Sequence, residues 1–125
     1  MPTKARTAAA LICGARIAYA VGLITAPEQL ARTWLGPPVV QPSTQIPLRG
    51  LAARELGLAT GGLMASLRGA PVRPWLVAQV AGDLSDVLAS VWGRNGIPPA
   101  AVSAVTAVGG ASAAITAGAA LAVDS

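Results

Sequence analysis

The chain has 125 residues, enough for one domain, but 54% are hydrophobic and only 11% charged. An ordinary soluble domain carries charge on about a quarter of its residues, so this composition points away from that class and toward a bilayer. The net charge of +4 comes from basic residues scattered along the chain rather than clustered on one surface, which excludes a nucleic-acid interface. With no histidine, the usual general base, haem ligand and catalytic zinc ligand are missing. The single cysteine, Cys13, excludes an intrachain disulfide and reads as a small buried residue.

Proline divides the chain. Its missing amide proton and ring clash put it at helix boundaries, and the ten prolines bracket four apolar segments at about 7–26, 48–67, 74–92 and 99–123. Each is 19 to 25 residues, long enough to cross a bilayer as a helix. None alternates with the period of two that a strand needs, and an open sheet edge has no place in lipid. The expected fold is all-α: one domain, an integral membrane bundle of about four transmembrane helices, in the cell membrane.

The first segment follows Lys4 and Arg6 and resembles a signal peptide in outline. Arg16 at its middle and the lack of a small-x-small cleavage site before Pro27 favour a retained helix. Gly14, Ala18 and Gly22 form a small-residue ridge on it. In the long connection that follows, Glu28 to Leu35 reads either as plain loop or as a short interfacial helix, with Pro27 in its first turn and Gly36 as its stop. The remainder, with four prolines, is expected to be extended and irregular.

The second segment contains Arg54 and Glu55, and its Gly57 and Gly61 make a GxxxG pattern that admits close helix approach. Gly50, Gly57 and Gly61 are read as sharing a face with Arg54. The third is flanked by Trp75 and Trp92, 17 residues or about 26 Å of helix apart. That spacing suits interface anchors, a role also expected of Trp34. Gln79, Asp83, Asp86 and Ser90 recur at helical period and form one polar stripe. The fourth is nearly all Ala, Val, Gly, Ser and Thr, with Gly110, Ala114 and Gly118 as a ridge for a close helix neighbour.

Charge inside a span is costly and normally faces protein or water. The simplest arrangement docks the first three helices with Arg16 and Arg54 against Asp83 and Asp86, leaving Glu55 for an interface or another partner. Such charges act as register-fixing structural pairs, as a proton or ion relay, or as a site for a polar headgroup or quinone-like ligand. Paired carboxylates also serve acid–base catalysis, but without histidine or an evident nucleophile no enzyme activity and no cofactor is expected. Positive residues split four to three between the two ends, which favours both termini on the cytoplasmic side.

The early Arg–x–x–Tyr–x–x–Gly helix (residues 16–22), Arg-Glu-Leu-Gly-Leu-Ala-Thr-Gly-Gly (54–62), Pro-Trp-Leu-Val (74–77) and Gly-Asp-Leu-x-Asp (82–86) together resemble an uncharacterised actinobacterial family of small four-helix membrane proteins, distantly DoxX-like in layout. The resemblance covers Arg16 to Asp86; Glu55 stands where that family usually has Asp, and the fourth helix matches only in being apolar. It implies a fold and a charge pattern rather than an activity. The function expected is therefore a non-catalytic accessory subunit of a larger membrane complex, such as an envelope lipid-transport or respiratory assembly, with membrane lipids and other membrane subunits as partners. The alternative is a small proton-coupled or lipid/small-molecule transporter acting as a homo-oligomer. A quinone-linked oxidoreductase partner ranks third.

Overall fold

The computed structural model describes residues 3–124, and among them every regular element is helical. α1 runs Lys4–Thr25, with the Thr3 hydroxyl accepting from the Arg6 amide at 3.1 Å. It ends at Ala26 because the residue before a proline is pushed out of the α region. Pro27 then opens α2, Pro27–Leu35, at the one position where its missing N–H costs nothing. Glu28 in the first turn and Arg32 in the last suit the helix dipole, and Gly36, at φ 72°, stops it. The segment is thus a helix rather than plain loop, and it folds back against the bundle: Leu30 reaches Gly22, and Ala31 is fully buried.

The segment expected to be irregular is largely ordered. A 3-10 turn spans Pro37–Val40, and α3 begins at Pro42, extending Pro42–Arg68 with Pro47 inside it. The expected start at residue 48, and with it the placing of Pro47 at a helix boundary, are both corrected. Pro42 sits harmlessly in the first turn, and Pro47 forfeits a single helical hydrogen bond near the end of a long helix. α3 closes on left-handed Gly69. α4 is Arg73–Trp92, a short 3-10 turn follows at Arg94–Gly96, and α5 is Pro99–Ala122.

The helices run up and down, with α1 packed chiefly on α3, α4 on α5, and thinner contacts between α3 and α4 and between α1 and α5. Both described chain ends lie at one end of the bundle, where a ring of side chains caps three helix termini. Arg6 donates to the carbonyls of Ala65, Ser66 and Ala70 at 2.7–3.2 Å, closing the C-terminus of α3. Asp124 pairs with Arg6 at 3.3 Å and accepts from the Val72 and Arg73 amides at 2.9 and 2.8 Å, capping the N-terminus of α4. Arg73 returns to the carbonyls of Ala120, Leu121 and Val123, at the C-terminus of α5. These contacts put charge at helix ends, positive on C-terminal carbonyls and negative on N-terminal amides, in the sense the helix dipole favours.

The interior has two apolar clusters. One gathers Ala9, Cys13, Ala59, Val72, Leu76 and Val123; the other Leu23, Ala31, Val39, Leu48 and Ala52. On α1 and α3 the residues between these clusters include Arg16 and Glu55, so a charged layer divides the core at mid-height. The outside is the reverse: Leu11, Leu88, Val108, Ile115 and Leu121 are 63–80% exposed. α1 and α5 are long and apolar enough to cross a membrane.

Candidate functional site

Arg16 is the hub of the charged layer. Its side chain is 11% exposed and reaches three other helices. Nη1 donates to Glu55 Oε1 of α3 at 2.8 Å and to Asp83 Oδ1 of α4 at 3.0 Å. Nη2 donates to Asp83 Oδ2 at 2.5 Å and, on α5, to Ser112 Oγ and Thr116 Oγ1, both at 2.9 Å. The bidentate pairing with Asp83 matches the planar fork of guanidinium to a carboxylate. Only Nε of Arg16 is left without a partner.

Three sequence expectations are corrected by this geometry. Arg54 is not in the layer: it is exposed and forms no ion pair with any described residue. Adjacent residues on a helix lie about 100° apart, so turning Glu55 inward turns Arg54 outward. Glu55 is accordingly a ligand of Arg16 rather than a spare carboxylate. Asp86 does not share the arginine with Asp83 either. Three residues further along it lies about 60° round the helix and 4.5 Å along the axis, and it makes no hydrogen bond or ion pair with any described residue.

The polar stripe of α4 thus divides into separate jobs. Gln79, fully buried, donates to the Leu58 carbonyl at 3.3 Å and to Cys13 Sγ at 3.7 Å, leaving its Oε1 unpaired. Ser90, also buried, accepts from the Trp34 indole at 2.8 Å. Trp34 therefore fastens α2 to α4 and is not a free interface anchor. Trp75 lies across Gly61, while Trp92 is 91% exposed, so of the three only Trp92 stands clear of the bundle.

Among the helical glycines, those that admit close approach inside the chain include Gly22 beneath Leu30, Gly61 under the Trp75 ring, Gly62 against Cys13, Gln79 and Trp75, and Gly109 against Val87. A Cβ at Gly62 would stand 2.8 Å from Cys13 Sγ. Gly14, Gly50, Gly57, Gly110 and Gly118 have nothing within 4 Å of such a Cβ, and Ala18 and Ala114 are exposed. The ridges of α1 and α3, expected at internal helix contacts, are used there only at Gly22 and Gly61, their other members facing open space, and the α5 ridge, whose neighbour was left open, also faces outward. The pattern of small residues is symmetric between inward and outward use; only the rotation of each helix distinguishes them.

Ser112 and Thr116 escaped the sequence reading, which treated the fourth segment as smooth. Their spacing of four on an otherwise apolar helix was the available signal. The capping ring of Arg6, Arg73 and Asp124 was also missed, its arginines having been read only as topology signals.

Beside the layer, lined by all five helices, opens a cleft of about 380 Å³. Arg16, Glu55, Asp83 and Asp86 form its polar part, while Leu23, Leu30, Leu51 and Val105 contribute apolar wall. A shallower groove continues between α1 and α5 past Ile12 and Ile115. Among the described residues no group of three or more His, Cys, Asp or Glu is placed to hold a metal ion.

Comparison with known protein families, curated proteins and solved structures finds no match to this chain. The DoxX-like resemblance accordingly rests on its short motifs alone.

Proposed function

We propose that the chain is a membrane-embedded, non-catalytic subunit whose outer faces dock onto another membrane protein. The observation that carries this reading is the inverted polarity of the bundle. Its ion cluster lies at mid-height inside, while large aliphatic side chains and unfilled glycine ridges face out. In this reading all four long helices cross the bilayer, α3 and α4 turning Glu55 and Asp83 onto Arg16 instead of lipid. Arg54 remains, midway along α3 between the open glycines Gly50 and Gly57. Charge at such depth costs about 2.5–3.5 kcal/mol on insertion scales, which a carboxylate or backbone carbonyls of a neighbouring helix would offset. Lys4, Arg6, Arg68 and Arg73 at the termini end favour placing that end in the cytoplasm. The larger assembly is of the envelope lipid-transport or respiratory type.

The test is mild-detergent purification at native expression level, comparing the wild-type chain with Arg54→Ala and Gly57→Leu. A stoichiometric membrane partner lost in both variants supports the reading. Recovery of the free chain alone, in several detergents, refutes it. One observation favours a second reading, a small proton-coupled or small-molecule carrier: Asp86 stands unpaired at the cleft. Proteoliposomes should then show flux that Asp86→Asn abolishes; none in wild-type vesicles with verified insertion rejects it.

A further inference from the structure

The cleft beside the charged layer is a built space of ligand size, about 380 Å³, within the 300–1,000 Å³ range of small-molecule sites. Its charge is unbalanced. Arg16 is the one cation on its surface, against Glu55, Asp83 and Asp86. That cation is already engaged: Glu55 and Asp83 neutralise it, Ser112 and Thr116 also accept from Nη2, and Nε alone is left without a partner. Asp86 is left facing the space with no partner from its own helix, from Arg16 and Tyr19 of α1, from Glu55 of α3, or from α2 and α5. The other walls are aliphatic, with Tyr19 and Trp34 contributing aromatic rings.

We infer that this cleft binds a single-chain amphiphile with a cationic amine or ammonium head, the head on Asp86 and the apolar chain along Leu23, Leu30, Leu51 and Val105. An anionic head would meet a surplus of carboxylate, and a neutral head would leave Asp86 uncompensated in a largely apolar surround. A cation pairs with Asp86 and gains from the aromatic faces of Tyr19 and Trp34. The inference concerns a site wholly within this chain. It is independent of what docks on the outer faces and of whether anything crosses the membrane.

Trp34 supplies the readout. In the full chain carrying Trp75→Phe and Trp92→Phe, in nanodiscs, Trp34 is the sole indole, and a chain-brominated dodecylamine in the cleft quenches it. The expected result is saturable quenching by the amine at about tenfold lower concentration than by the equally brominated alcohol or fatty acid, a factor equal to about 1.4 kcal/mol. Asp86→Asn should erase that preference while keeping helicity and melting temperature. A filling variant, Val105→Trp read by calorimetric titration of the same amine in the original Trp background, should lose binding with Asp86 intact. Equal quenching by all three probes overturns the inference. So does an unchanged amine preference in Asp86→Asn, which would mean that Asp86 holds a proton rather than a ligand.

Discussion

At the residue scale the balance of the molecule rests on Arg16. Among the described residues its guanidinium is the only positive group paired with Glu55 and Asp83, whose side chains are 19% and 12% exposed. Removing one member of a buried ionic cluster leaves charge uncompensated and typically costs about 3–5 kcal/mol, whereas removing all members together is far milder. Arg16→Met should therefore lower the melting temperature more than the triple change Arg16→Met, Glu55→Gln and Asp83→Asn. Equal losses would show that water, not the arginine, solvates the carboxylates. Arg54→Ala belongs to the opposite case. With no partner among the described residues, it should shift the stability of the isolated protein by no more than about 0.5 kcal/mol. Asp124→Ala removes a cap from α4 and a partner from Arg6, so thermal or denaturant melting should register a loss of about 1–2 kcal/mol.

At the scale of elements, glycines of one composition serve opposite ends. Gly62 lies where α3 meets α1 and α4, and a methyl group there would press on Cys13 Sγ and Trp75. Gly62→Ala should destabilise by about 1–3 kcal/mol through overpacking. Gly57→Ala and Gly110→Ala add the same methyl to open space. The better helix propensity of alanine should leave them neutral or stabilised by up to about 1 kcal/mol. Parallel melts of the three variants decide this, and equal destabilisation by all three would overturn the assignment of inward and outward faces.

For the whole molecule, the placement of the two described ends at one pole follows from an even number of long helices and is held by the Arg6–Asp124 pair. If the bundle crosses a membrane as proposed, Lys4→Cys and Arg68→Cys should react with an impermeant maleimide from one side and Arg94→Cys from the other, in a Cys13→Ala background. Labelling of Lys4→Cys and Arg68→Cys from opposite sides would exclude the arrangement.

Most segment boundaries were legible in the sequence because proline and glycine act locally: Pro27, Gly36 and Pro99 end or begin helices whatever surrounds them, whereas the start of α3 at Pro42 was not read. Legible too was the expectation that a mid-segment arginine meets a carboxylate, since the energy of isolated charge in an apolar medium depends little on detail. Which arginine, and which carboxylate, was not legible. α1 and α5 are apolar around nearly their whole circumference, so periodicity cannot say which side faces in. Helix rotation was decided by packing between elements distant in sequence. That packing brought Ser112 and Thr116 to Arg16 from about a hundred residues away, turned Arg54 outward as Glu55 turned in, and left Asp86 unpaired at the cleft.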